Sequence, residues 1–255
     1  LRYNYDNPSL EPLIAGLMEK VDWGDVDRDP REGLEDAASE ACDLIRSVVA
    51  RSLSGAPEST HLNLLIDIIR ARQFQRVDIF TLNHDCHIET ALQEAKLAYE
   101  DGFRPIGHKD VHAWSRDYLE QDRSYVTVCK LHGSVDWVQA DRDIRRIGLP
   151  FGAGDVAPYL QAPGLNGASA HKLMIYPNAA KDRETSDHPY VELFRDLAAA
   201  VCRPNSTLIT YGYSFGDEHI NRVIRDIPST HVVAGNKRTS LRQDVLKELA
   251  RRGQV

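Results

Sequence analysis

Val77-Asp78-Ile79-Phe80-Thr81-Leu82-Asn83-His84-Asp85-Cys86-His87-Ile88-Glu89 is the stretch from which the rest of the chain is read. An apolar, β-prone run from Val77 to Leu82 empties directly into polar and titratable groups. Ile88, Ala91, Leu92 and Ala95 then recur at helical spacing. A buried strand that ends in such residues marks a site in an open α/β sheet, because ligands bind outside the carboxyl ends of the strands.

The same design recurs twice. Tyr125 to Leu131 reads as a strand that ends in His132-Gly133-Ser134, with Asp136 and Trp137 just beyond. Ser206 to Tyr211 reads as a strand that ends in Gly212-Tyr213-Ser214-Phe215-Gly216-Asp217-Glu218-His219-Ile220-Asn221. Three strand ends that each deliver polar groups could form one site.

Outward from these stretches, helical periodicity marks Leu34 to Leu53, through Ala37, Ala41, Leu44, Ile45, Val48 and Val49. Leu62, Leu65, Ile66 and Ile69 mark a further amphipathic helix. Tyr190, Phe194, Leu197, Ala198 and Val201 share a face, as do Ile220, Val223, Ile224 and Ile227. Short strands are expected at His171 to Tyr176 and Thr230 to Ala234, with a short helix at Leu10 to Met18 and a terminal one through Leu241, Val245, Leu246 and Leu249. Asp101 to Arg123 reads as loop with a short helix. Residues 138–170, rich in glycine and proline, read as a long irregular insertion, the kind of segment that serves as a lid or partner surface. Strands alternating with helices predict an α/β fold: a Rossmann-like, mainly parallel sheet with helices on both faces, plus helical and loop insertions. One domain over residues 1–255 is expected: a helical portion 1–76, the core 77–235, and a helix in 236–255.

The bulk composition narrows the function classes. A chain of 255 residues with 42% hydrophobic and 27% charged residues can bury a sizeable core. A net charge of −7 argues against a dedicated nucleic-acid surface. No run of apolar residues is long enough for a membrane-spanning helix. Cys42, Cys86, Cys129 and Cys202 are widely spaced, which fits a reduced, cytoplasmic protein better than a disulfide framework. The chain opens on Leu1 rather than Met and is expected to belong to a longer protein.

Each cluster has a plain structural reading beside the functional one. Asn83 or Asp85 would cap the following helix by accepting from its free N–H groups. With two similar strand ends elsewhere, a site role is the stronger reading. His132 could be a satisfied structural histidine. Gly133 beside it permits close approach, Ser134 adds a hydroxyl, and an imidazole titrating near ~6.5 suits proton transfer, so His132 is favoured as catalytic. Ser214 and Asp217 have the spacing of a capping box. The free N–H groups and the Ser214 hydroxyl could instead hold a phosphate or ribose. The acids Asp217 and Glu218 make a ribose or structural role safer, with His219 and Asn221 bracing the loop. His84, Asp85, Cys86 and His87 look rich in metal ligands, but neighbours on an extended turn point in different directions, and no metal is expected.

The ordered set Thr-Leu-Asn-x-Asp, Lys-Leu-His-Gly-Ser and Gly-Tyr-Ser-Phe-x-Asp-x-His-Ile-Asn, spanning roughly residues 77–221, resembles the sirtuin superfamily, most closely its branch in bacterial antiphage defence. The resemblance implies NAD+ as substrate. It implies that Asn83 positions water and the nicotinamide-side ribose, that Asp85 contacts the carboxamide, and that His132 is the base. It makes Thr81, Asp85, Gly133, Ser134, Gly212, Tyr213 and Ser214 the nucleotide-binding set. It further implies an abortive-infection effector that depletes NAD+. Such an effector would act as a homo-oligomer or beside a partner, either a P-loop translocase ATPase or a phage sensor. Two departures qualify it. The Gly-Ala-Gly-x-Ser phosphate loop is absent near the amino end, and Gly152-Ala153-Gly154 has no strand before it. The loop therefore precedes Leu1, is disordered, or the site is incomplete. The paired Cys-x-x-Cys motifs of zinc-containing deacylases are also missing, which favours simple hydrolysis.

That chemistry suits the residue types. Nicotinamide leaves as a neutral base, so the reaction needs a placed water and electrostatic support more than a strong acid. The rival readings are a catalytically silent nucleotide-binding scaffold and a zinc-free deacylase or ADP-ribosyl transferase.

Overall fold

A computed structural model describes residues 48, 53, 59–106, 108–117, 125–140, 143–147, 171–174, 189–226, 231–235 and 251. After a 3-10 turn at Ser59–Leu62, the elements run α1 (Asn63–Arg70), β1 (Val77–Thr81), α2 (His87–Glu94), β2 (Phe103–Ile106), β3 (His108–Trp114) and β4 (Val126–Lys130). They continue with β5 (Gly133–Ala140), β6 (Asp143–Ile147), β7 (His171–Met174), α3 (Tyr190–Val201), β8 (Thr207–Tyr211), α4 (Glu218–Arg225) and β9 (His231–Gly235). Val48 and Leu53 are helical, in keeping with a helix there. The rest of that helix, the one at Leu10 to Met18, the insertion at 148–170 and the helix through Leu241 to Leu249 lie outside the described residues. The chain divides into two compact units, Leu1–Val191 and Glu192–Val255.

In the first unit β1 and β4 pair in parallel, with Val77 opposite Val126 and Thr81 opposite Lys130. Every residue of β4 is buried, as parallel strands require when both faces are covered. Its other edge is also taken, since Glu100 N donates to Val126 O at 3.0 Å and Val128 N donates to Glu100 O at 2.8 Å. Ile66 and Ile69 of α1, with Ala91 and Leu92 of α2, form one apolar cluster with Val126 and Val128. The helical spacing legible in the sequence thus delivers both faces to the parallel pair. After α2 the chain turns through a left-handed residue, Lys96 (φ +56°), with Leu97 N donating to Leu92 O at 2.9 Å. That bond closes the helix without a glycine.

The α/β class holds, and an antiparallel sheet stands beside the parallel pair. Its order is β2-β3-β6-β5-β7. Two expectations are corrected here: β2 and β3 lie in the stretch read as loop, and the end of β5 with β6 lies in the stretch read as irregular. The physical reason is long-range masking of charge. Arg146 of β6 ion-pairs with Asp101 and sits 5.1 Å over the ring of Phe103. Its partners are more than forty residues away, so a local window sees a charged, strand-averse segment. Pro105 falls in β2, at the sheet's edge, where its missing N–H is tolerated. Phe103, Val111, Trp137, Ile144 and Ile147 are buried in this sheet, and the Phe103 and Trp137 rings lie 5.2 Å apart.

In the second unit β8 and β9 pair in parallel, from Thr207 opposite His231 to Tyr211 opposite Gly235. Leu197 and Val201 of α3 and Ile220 and Ile224 of α4 are buried. No helix among the described residues is long and apolar enough to cross a membrane.

Leu92 is fully buried in the α1–α2–sheet cluster, whereas Leu64 on the same layer is 60% exposed. Leu92→Ala should therefore cost about 2–5 kcal/mol in urea unfolding, while Leu64→Ala should stay within about 0.5 kcal/mol of wild type.

Candidate active site at the strand ends

The register of β1 against β4 sets the site. Because Thr81 faces Lys130 and Leu131 N donates to Thr81 O at 2.9 Å, both strands end at one level. Asn83 and His132 each lie two residues past that last pair. Asn83 is exposed, and its N–H donates to Thr81 Oγ1 at 3.1 Å. His132 is buried, and its ring centroid lies 6.4 Å from that of His84. Gly133 follows with φ +80°, a left-handed conformation that a side chain would strain, and it turns the chain from His132 into β5.

The turn between β1 and α2 is fastened to β4 and β5. His84 O accepts from Val135 N at 2.9 Å and from Ser134 Oγ at 3.2 Å. Asp85 O accepts from Lys130 Nζ. Asp85 also serves the helix: its Oδ1 accepts from His87 N at 3.0 Å, with Cys86 in the N-cap position. The plain reading therefore applies to Asp85 and not to Asn83.

The hydroxyls of Thr81 and Ser134 are both spent on this turn. Ser134, expected to line a nucleotide, is fully buried against His84 O and lies 3.7 Å from Cys86 Sγ. In this arrangement its hydroxyl supports the turn.

Beneath the turn lies a charged cluster that the sequence reading missed. Lys130 Nζ stands 3.2 Å from Glu89 Oε1, and both residues are buried, as is Asp136. Burial opposes the Lys130 charge, yet Glu89, with Asp136 and Asp85, holds its pKa above the ordinary value. Burial in turn pushes the Asp136 carboxyl up, against the pull of Lys130 and the Ser134 hydrogen bond. Burial, then the charge of Asp136, raises the Cys86 pKa well above the usual thiol range, so Cys86 stays protonated. A lysine in an otherwise uncharged strand was the available signal for this cluster.

His84 is held neutral. Burial first, then the proximity of His132, lowers its pKa from 6.5 to about 4. No group of three or more His, Cys, Asp and Glu among the described residues is placed to hold a metal ion.

The third motif lies in the second unit. Gly212 is exposed at φ +67°, with nothing within 4 Å of where a Cβ would stand, so backbone conformation alone demands glycine there. Ser214 is exposed too, but it is not the helix cap. Asp217 takes that place, with its side chain accepting from His219 N at 3.1 Å. This corrects the capping-box expectation: the chain between them bends through Phe215, buried at φ +58°, instead of entering the helix at Ser214. Asn221 is fully buried and braces that bend, donating from Nδ2 to Phe215 O at 2.9 Å. The Tyr213 hydroxyl lies 2.9 Å from Asn221 Oδ1 and 3.0 Å from Asp217 O, sharing its proton between them. Tyr213 is thus tied inward while Gly212 and Ser214 face solvent.

A family model described as a SIR2-like domain matches residues 77–238 and takes in all three strand-end motifs. Comparison with curated proteins gives no match.

The depressed His84 pKa has a thermodynamic consequence. Its contribution to stability is present above pH 6.5 and is lost as pH falls from there toward about 4, because the unfolded chain takes up the proton first. After allowance for partial exposure, the loss should be on the order of 2 kcal/mol. Urea titrations across that interval should show the stability of wild type falling relative to His84→Gln by that amount toward the acid end, and a constant difference would remove the assignment.

Proposed function

The chain belongs to the SIR2-like domain family, whose chemistry is linked to NAD+, and on that premise we propose that it hydrolyses NAD+ to nicotinamide and ADP-ribose. The observation that carries this reading is the β1–β4 register, which brings Asn83 and the His84–His132 pair to one end of the parallel strands. In the proposed reaction the glycosidic C–N bond breaks and its electron pair leaves with nicotinamide. A water oxygen bonds to the ribose carbon, and the water's proton passes to His132. The exposed Asn83 amide orients that water. His84, neutral at pH 7, adds no second positive charge where cationic character develops on the ribose.

Asp85 is assigned to the carboxamide and Gly133 to close approach of the ligand. Thr81 and Ser134 support the turn. Gly212 and Ser214, exposed on their loop, are assigned to the nucleotide, with Tyr213 holding that loop in shape.

The motif resemblance supports extending the reading to an abortive-infection effector in antiphage defence. That effector would be cytoplasmic and would act as an oligomer or with a P-loop translocase ATPase or phage-sensing partner.

Asn83→Ala and His132→Ala should each lower nicotinamide release by at least about 100-fold, the size expected when a positioned water or a general base is lost, while both variants still fold and unfold cooperatively on heating. Calorimetry with NAD+ runs beside the assay. Binding by wild type without any release would favour the silent nucleotide-binding module, and full turnover in both variants would remove the mechanism.

A further inference from the structure

The structure assigns Lys130 a role beyond neutralising Glu89: we infer that it is a positioning residue that locks the Asn83–Cys86 turn in the orientation its chemistry requires. The inference deepens the hydrolase reading and rests on it only for the catalytic readout.

The argument begins with where the ammonium group spends its donors. Lys130 occupies the last paired position of β4, the one charged residue of that buried strand, and its side chain is almost wholly buried. One contact goes to Glu89 in the first turn of α2, at 3.2 Å. Another goes to a main-chain oxygen, Asp85 O. Charge compensation alone would not require that second bond.

Its effect follows from the neighbouring carbonyl. His84 O is held by Val135 N and Ser134 Oγ, so two consecutive carbonyls of the turn face inward, toward β4 and β5. On the other side Asn83 N is held by Thr81 Oγ1. With its backbone pinned at both ends, the turn leaves the Asn83 side chain exposed. One motif, Lys-Leu-His-Gly-Ser, therefore clamps the other, Thr-Leu-Asn-x-Asp, through Lys130 and Ser134 at its two ends.

The cluster contains more acid than base. Glu89 Oε2 and Asp136 Oδ1 are buried without hydrogen-bond partners among the described residues. The Lys130 ammonium is the cation in direct contact with Glu89, with Asp136 and Asp85 nearby, and removing it alone would leave these buried acids without that partner. Stability and positioning must therefore be separated by choice of variant. Lys130→Met removes the ammonium. The double variant Lys130→Met/Glu89→Gln also removes its principal counter-charge, which should restore most of the thermal stability while leaving Asp85 O without its donor.

The test measures the full chain, wild type and both variants, by thermal unfolding, amide hydrogen exchange over residues 82–90, and nicotinamide release from NAD+. Positioning predicts that the double variant unfolds near wild type, yet exchanges at least tenfold faster in the turn. It also predicts a kcat lowered tenfold or more, with KM changed less than threefold. If the double variant recovers both wild-type exchange in the turn and wild-type kcat, Lys130 only balances charge and the inference is overturned. If wild type releases no nicotinamide, the hydrolase reading fails by itself, and unchanged exchange in the double variant would still overturn the positioning role.

Discussion

Everything at the proposed site depends on one constraint, the pairing of Thr81 with Lys130 at the end of the parallel strands. Parallel pairing with no stagger makes both chains leave the sheet at the same height, so two segments about fifty residues apart come together there, with the His84 and His132 ring centroids 6.4 Å apart. A one-residue slip would turn every side chain of β1 to the other face. The apolar cluster of α1, α2, Val126 and Val128 opposes such a slip, because it would expose Leu92 and Ile69 contacts that are now dry. Hydrophobic packing thus fixes the register, and the register sets where the polar strand ends lie.

Above the last pair the forces change character. The turn from Asn83 to Cys86 has no regular hydrogen-bonding partner strand, and its carbonyls are satisfied instead by Lys130, Ser134 and Val135. Bonds of this kind are directional, and they orient a short segment better than apolar contact can. The cost is a buried charge cluster, which persists because Lys130 is surrounded by Glu89, Asp136 and Asp85. The neutral His84 and protonated Cys86 show the same environment acting on uncharged neighbours.

The second unit uses an independent device for a similar end. Phe215 sits in the left-handed region that aromatic residues avoid, and such strain survives only where neighbours over-determine it. Asn221 supplies that bracing from inside the fold by donating to Phe215 O, and the Tyr213 hydroxyl bonds Asn221 while its ring lies 4.7 Å from that of Phe215. In both units, then, a buried polar side chain shapes a turn whose exposed groups are the candidates for ligand contact.

Local pattern was sufficient for part of this. The strands Val77–Thr81, Val126–Lys130 and Thr207–Tyr211, the helices carrying Ile66, Leu92, Leu197 and Ile224, and the polar groups at the strand ends were all legible. Each depends on side-chain spacing within a few residues or on an apolar run meeting a polar one. The antiparallel sheet was not legible, because the Arg146 charge is cancelled by Asp101 and Phe103 from a distant part of the chain. Nor could spacing say that Asp217 rather than Ser214 begins α4, since both residue types cap and the choice turns on the backbone at Phe215. The sequence by itself determined which residues end the strands. Only the tertiary structure decided that His84 lies beside His132, that Ser134 is buried, and that Lys130 reaches Asp85, because those facts belong to pairs of residues far apart in the chain.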